Sequence, residues 1–460
     1  MSKLPGVYIT EQSGATATPS EFGSSLGVVG NFYFGEPNKV IELNSILDFE
    51  SKLGGLNASY PDSIALYGAM LQKPRKVKAV RIVGTGASKA SVTLTDGQTT
   101  PTDLVTITAK YEGAFGNDVS IKIDKGTATI TFGSISEKYV FTTAQGLVDA
   151  INASSEIVDA TFVAEGTIED GTSALTGGAD GTITDTDYIG AYDSSTDTRT
   201  GLYVLDTEDD IDILWMGGAQ SSTKRTALLT NASEYDRIAV LPLTSGSNLQ
   251  TAITDGKTID NYRAFVAFPN VVIDTKLGDE TVDASAIVAG VLGAIPVQNS
   301  PAGQPLSGVK DVARGLTKNE MESLVDAGIN PIALSAGSYR LKTGWTATTN
   351  TDWQQVGVRR VFDYAKRVAN TMLEQFVSQP NTPTLWSQVR SVLTSLGHEM
   401  VGAGMIQDFS VQCDKNLNPP DVQAQKKLRA SFSILPIYAA DYIEITLIKS
   451  LSALNHASSK

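Results

Sequence analysis

A multidomain fold, α/β plus all-β with an α+β C-terminal region, is predicted by three observations. Compact apolar runs at Ile211 to Met216, Ile238 to Leu243 and Ala264 to Phe268 are separated by helix-length segments, the βαβ rhythm of a parallel sheet buried on both faces. Between Ala90 and about Asp185, Thr, Gly, Ser and Asp dominate around short alternating runs, the texture of a small β-sandwich or barrel. After Trp353 come two amphipathic helices and then three strand-like runs. At 460 residues the chain exceeds one typical core, and five segments are read: 1–23, 24–89, 90–185, 186–345 and 346–460.

The segment 1–23 is an arm. Leu4 to Glu11, with Val7, Tyr8, Ile9 and Thr10, is a lone strand-like run followed by small polar residues that offer nothing to pack. Ser24 to Phe34 then reads as a buried strand, Ser45 to Leu53 and Asp62 to Gln72 as helices, the second capped by Asp62 after Pro61, and Lys76 to Val83 as a strand. Gly84 to Lys89 lacks phosphate-loop spacing and reads as a linker. In the β-rich segment, Leu104 to Ala109, Val119 to Ile123 and Ala128 to Phe132 are strands, Thr142 to Ile151 is one helix, and the turn Leu175 to Gly181 closes the unit. Asp180, Asp185 and Asp187 lack the spacing of a calcium loop and read as surface turns. In the α/β segment, Ala284 to Ile295 is a Gly- and Ala-rich helix suited to close packing, Gln298 to Gly308 is irregular, and Thr317 with Glu320 forms a capping box.

From Val358 to Phe376 apolar residues fall at helical spacing, while Arg359, Arg360, Asp363, Lys366, Arg367 and Glu374 occupy the opposite face, with Arg359/Asp363 and Asp363/Arg367 four apart and expected to meet on the surface. Thr382 and Pro383 open a second helix. Phe409, Val411 and Cys413 alternate with polar residues, as do Leu428, Ala430, Phe432 and Ile434, so both runs have the period of half-buried strands. Tyr442, Ile443, Glu444, Ile445, Thr446 and Leu447 form a third run, and Pro436 forces the chain out of the second strand before it begins. With strand-like runs on tethers at both ends, two arrangements stay open on spacing alone: the arms complete sheets in neighbouring subunits, or they fold back on their own.

Composition narrows function. The net charge of −14 argues against nucleic-acid binding. Residues 351–460 hold 11 Lys+Arg against 9 Asp+Glu, a net +2, which leaves −16 for the rest and suggests that the C-terminal region faces something acidic. No run of 18 apolar residues exists and the start lacks a signal-peptide pattern, so a protein kept in the cytosol is expected. The single Cys413 and the two histidines, His398 and His456, make disulfide and zinc chemistry unlikely and leave no triad for the α/β region. Asp209, Asp210 and Asp212 cluster before a strand, where a solvated turn is the usual reason. No enzyme signature and no cofactor requirement emerge.

The run Pro5 to Glu11, the segment Ala109 to Asp118, the turn Leu175 to Gly178, the helix end Ala327 to Asn330 and the helix Arg359 to Tyr364, in that order, resemble the tail sheath proteins of contractile phages and related injection systems. The family often has Trp where Phe115 stands and Glu where Asp441 stands, both mild changes. The resemblance implies a homo-oligomeric sheath of stacked hexameric rings around a tail tube. Its further partners would be baseplate and tail terminator proteins, with no direct contact to nucleic acid or membrane. It places the subunit in a virion tail or injection particle assembled in the bacterial host cytoplasm. It also implies a subtilisin-like central α/β domain without proteolysis, an outermost β-rich insertion, and terminal arms donated to adjacent subunits. The recipient sheet would then include Phe409, Val411, Leu428, Ala430, Phe432 and Ile434. Arg359, Arg360, Lys366 and Arg367 are candidates for contact with an acidic tube surface or for an intersubunit salt-bridge face. A secreted or surface-bound adhesive β-protein is the alternative from another class.

Overall fold

The structure is a computed structural model that describes residues 25–218, 220–244 and 246–446. Eight strands form the central sheet in the spatial order Val40–Leu43, Lys76–Arg81, Ser25–Gly30, Ile211–Met216, Ile238–Leu241, Ala264–Phe268, Asn330–Ser335, Ser338–Leu341. The inner six are parallel, and an antiparallel strand closes each edge. Alternation along these strands supplies two cores at once. Leu26, Val28, Ile213, Trp215, Val240 and Phe265 face the helices Pro61–Leu71 and Ala284–Ala294, whereas Val29, Leu214, Met216, Ala239, Leu241 and Val266 face the helices Ser222–Glu234, Leu249–Gly256 and Lys318–Val325. A sheet covered on both faces needs apolar residues at every position, which is why these strands read as unbroken runs.

The Ala284–Ala294 helix lies against Pro61–Leu71 at its small residues. A Cβ at Gly290 would stand 2.3 Å from the carbonyl oxygen of Ala69, so only glycine permits the approach. Asp62 does not cap its helix, whose N-cap is Tyr60. The Asp62 carboxylate is buried and instead accepts from the Asn31 backbone N–H at 2.8 Å and the Tyr188 hydroxyl at 2.7 Å, tying the helix to the end of the first strand.

The insertion has a three-stranded antiparallel sheet of Ser91–Thr95, Asp103–Ala109 and Val158–Phe162 and a four-stranded one of Gly171–Ala174, Ser120–Asp124, Thr127–Phe132 and Ile135–Val140. The helix Ala144–Ser154 shares their core. Gly84 to Lys89, read as a linker, does connect the central sheet to the insertion, and it is itself paired. Thr85 pairs with Thr182 and Ser88 with Ala179, so the two chain crossings are zipped together. Beside them the fully buried Arg81 donates to the carbonyls of Phe32 at 2.7 Å, Gly35 at 3.0 Å and Glu112 at 2.8 Å and pairs with Asp180 at 3.1 Å. Tyr33, Phe34 and Tyr60 of the α/β domain enter the core of the insertion, so the insertion is docked as one body with that domain.

A small sheet of Val271–Thr275, Gly278–Val282 and Val309–Val312 was not anticipated by the sequence reading. In the C-terminal region the two expected helices form, Val356–Leu373 and Pro383–Gly402, the second capped by the Thr382 side chain, and then two of the three expected strands, an antiparallel ribbon of Ile406–Gln412 with Ser431–Pro436; the third run is not a strand over its described residues, Tyr442 to Thr446. Val361, Tyr364, Val368, Trp386, Val389, Leu393 and Leu396 form its separate core.

Candidate assembly surfaces of the C-terminal region

The charged face of the Val356–Leu373 helix is not a surface. Arg359 and Arg360 are 0% and 2% exposed and Asp363 is 4% exposed, because this face lies against the N-terminal ends of three parallel strands. Each of those ends carries a charged residue. Asp212 sits in the Ile211 strand, Asp236 just before the Ile238 strand and Arg263 just before the Ala264 strand. Arg359 pairs with Asp363 at 2.7 Å, and Arg263 joins Asp363 at 3.0 Å to Asp236 at 2.7 Å. Lys366 reaches Asp236 at 2.9 Å, and Arg367 reaches Asp212 at 2.5 Å. The Arg360 guanidinium donates to the carbonyl of Leu292 at 2.9 Å, and Arg359 also stacks 4.4 Å from the Trp353 ring.

Burial lowers Arg360 to about 10, with Asp212 and Asp363 pulling the other way, so it stays cationic at neutral pH. Burial likewise pushes the Asp212 carboxyl up, and Arg367 and Arg360 oppose that push. The expectation that Arg359, Arg360, Lys366 and Arg367 face a tube or a neighbour is therefore corrected: the four cations clasp the helix to the α/β domain of their own chain. Part of the charge split has the same origin, since Lys366 and Arg367 are matched by Asp236 and Asp212 of the α/β segment. The sequence did carry a signal for these partners, namely charged residues standing at the mouths of otherwise apolar strands.

The acidic residues weighed as sites also find structural partners. Asp210 pairs with Lys78, Asp180 with Arg81 and Asp185 with Lys224, while Asp187 closes a capping box with Thr184. His398 stands edge-on to Phe409, with ring centroids 4.9 Å apart, and Cys413 is buried.

What remains open is the ribbon and the tail. Phe409 stands opposite Ile434 and Val411 opposite Phe432, and these four turn one face toward the Pro383–Gly402 helix. A Cβ at Gly397 would fall 2.2 Å from the Phe409 ring, so that helix is notched to receive it. Leu428 and Ala430 precede the second strand, half-buried and exposed. Among the described residues the ribbon has two strands only, with both outer edges unpaired. Among the described residues no strand follows Pro436, and Tyr442, Ile443 and Ile445 are 78%, 82% and 77% exposed, with Glu444 and Thr446 also exposed. Val7, Tyr8, Ile9, Thr10 and Leu447 lie outside the described residues.

Residues 348–448, which contain both helices, the ribbon and the exposed tail, match the family model of the phage tail sheath C-terminal domain. This region is a tail sheath domain. A tail sheath protein of Vibrio phage KVP40 is 26% identical over 154 residues, which is 32% of this chain and 23% of that relative; the match thus spans about a quarter of the relative's length. Among solved structures, a sheath tail protein of Listeria innocua superposes with a TM-score of 0.63 at 17% identity, covering 87% of this chain and 90% of that one. A sheath tail protein of Desulfitobacterium hafniense gives 0.61 at 19% identity, covering 89% and 94%. The helical sheath of the anti-feeding prophage in its contracted state gives 0.58 at 17% identity and covers 98% of this chain and all of that one, 100%. The resemblance read from the sequence holds, and the sheath domain is joined to the α/β and β-rich parts in the overall arrangement of sheath folds.

Proposed function

We propose that this chain is the structural subunit of a contractile sheath that polymerises as stacked hexameric rings around a tail tube, attaches to a baseplate and a terminator, and shortens to drive the tube through a target envelope. The observation that carries the reading is an apolar tail leaving the sheath domain exposed beside a two-stranded ribbon whose edges are open. An exposed strand-forming tail and an open sheet edge are complementary between copies, and heterologous contacts of this kind do not close unless the rotation does. In this reading Val7 to Thr10 and Tyr442 to Leu447 are donated strands, and the ribbon around Phe409, Val411, Leu428, Ala430, Phe432 and Ile434 receives them. The particle is a phage tail or an injection machine assembled in the host cytoplasm.

Magnitudes suit a lattice that is held firmly and still rearranges. Burying Tyr442, Ile443 and Ile445 contributes about 5–8 kcal/mol, while ordering five tail residues costs about 5–10 kcal/mol. One arm alone is thus marginal. Stability comes from each subunit giving and taking strands at once, so that every further contact forms at high effective concentration. Contraction then proceeds as rigid bodies shift while the strand ladders persist, and needs neither a nucleotide nor a catalytic residue. The docked insertion and the clasped Val356–Leu373 helix supply that rigidity. We read the α/β domain as subtilisin-like in topology and used as a scaffold, its inner six strands being parallel and helices covering both faces. Negative-stain electron microscopy of the full chain beside a chain lacking residues 1–20 tests this. Rings or tubes from the first, lost in the second, are expected; monomers from the full chain even when tube protein is added would overturn the reading.

A further inference from the structure

Gln355 occupies the N-cap position of the Val356–Leu373 helix, yet its side chain makes no capping bond. Its amide is used on the tail instead. Oε1 accepts from the backbone N–H of Ala439 at 2.9 Å, and Nε2 donates to the carbonyl of the same residue at 3.0 Å. This two-bond pairing imitates what a neighbouring strand would offer. Nε2 also lies 2.7 Å from Asp441 Oδ2, and the Trp345 indole N–H donates to that same oxygen at 2.9 Å. Trp345 and Gln355 are fixed to each other by an antiparallel bridge, flanked by the bonds Val356 N to Gly344 O at 3.0 Å and Thr346 N to Gln354 O at 2.7 Å. The floor of this clamp is therefore rigid, at the seam between the α/β domain and the first C-terminal helix.

Exposure changes abruptly at the clamp. Ile437 and Tyr438, before it, are 42% and 55% exposed, whereas Tyr442 and Ile443, directly after it, are 78% and 82% exposed. The chain continues for 19 residues beyond Asp441, to Lys460. We infer that Trp345, Gln355 and Asp441 form a clamp that fixes the exit point and heading of the C-terminal arm, so that the segment from Tyr442 onward is presented to a second copy of the chain. The inference rests on the sheath reading and names the residues that position the arm. Its physical content is preorganisation: a tail held at its root searches a smaller volume, and docking costs less ordering entropy. The fit to a second copy follows from the tail itself, which is apolar, strand-like in composition and exposed over its described residues 442–446, while the same chain carries a ribbon whose edges are open among the described residues.

The test uses the full chain and two readouts. Hydrogen exchange of the Ala439 amide in the dispersed protein reports the clamp, and light scattering with electron microscopy reports polymer formation. Asp441→Ala should leave the melting temperature unchanged, speed Ala439 exchange about ten-fold and slow polymerisation about ten-fold, as loss of a charge-assisted bond predicts. Trp345→Phe and Asp441→Asn, which keeps an acceptor but loses the charge, should both act in the same direction more weakly. Adding Trp345→Phe to Asp441→Ala should change nothing further, because both act at one oxygen. Fast Ala439 exchange in the wild-type chain would overturn the clamp, and wild-type polymerisation with Ala439 released would overturn its role. A wild-type chain that forms no polymer even when tube protein is added overturns the sheath reading and this inference with it, an outcome distinct from failure of the clamp alone.

Discussion

Asp363 is the residue on which the attachment of the sheath domain turns, since it accepts from Arg359 on its own helix and from Arg263 on the α/β domain. Replacing it with Ala removes a carboxylate shared by two buried guanidinium groups, of which Arg263 keeps Asp236, so the cost is placed at the lower end of the range for breaking a buried pair, about 3 kcal/mol. Asp363→Ala should therefore lower the urea midpoint by that equivalent, whereas Lys318→Ala, removing an exposed pair with Glu322, should change it negligibly. Asp255 gives the acid limb. Its burial alone would raise the carboxyl, but the Arg225 bonds at 2.6 and 2.8 Å and the Thr244 bonds hold it below the usual range. A carboxyl lowered in the folded state contributes stability above its unfolded value, about 3.9, and loses it as pH falls through the folded value. Denaturation series from pH 6 downward should show stability declining below about pH 4, with a shallower decline in Asp255→Asn. At this scale the sequence was half legible. The Arg359/Asp363 spacing gave a true pair, but burial depended on Asp236 and Arg263, more than 90 residues away, which no local pattern connects to the helix.

Among elements, the best-read are those whose local pattern and tertiary surroundings agree. The two C-terminal helices have one apolar face each and one core to fill, so periodicity located them within a few residues. The Ala284–Ala294 helix was recognisable as closely packed from its small residues, and its glycine is the sharpest test. Gly290→Ala would push a methyl group into the Ala69 carbonyl, where neither backbone yields, and should destabilise by about 1–3 kcal/mol, measured by thermal and chemical denaturation. The sheet of Val271–Thr275, Gly278–Val282 and Val309–Val312 escaped because its strands are short and partly exposed, and one partner arrives from beyond an intervening helix. Likewise Lys76–Arg81 was legible as a strand, but not as the carrier of the arginine that docks the insertion. A single charge at a strand end looks the same in sequence whether it meets water or three carbonyls.

For the molecule as a whole, the sequence conveyed the succession of α/β, β-rich and α+β parts, and the structure adds that buried contacts join them. Arg81 and its aromatic neighbours hold the insertion, and the ionic clasp of Arg263, Arg359, Lys366 and Arg367 holds the sheath domain. Among the described residues, the edges of the ribbon and residues 442–446 are left exposed, and the account assigns these to other copies. Buried ion pairs are screened little by salt, so raising salt from 0.05 to 0.5 M should leave the folding midpoint of the monomer nearly unchanged. The most direct measurement of the central claim is a helical reconstruction, by cryo-electron microscopy, of the polymer formed by the full chain. The account predicts added strands along the ribbon of Ile406–Gln412 and Ser431–Pro436, with at least one traced to residues 442–447 of a neighbouring copy. A polymer in which the ribbon edges are bare, or are covered by the tail of the same subunit, would contradict it.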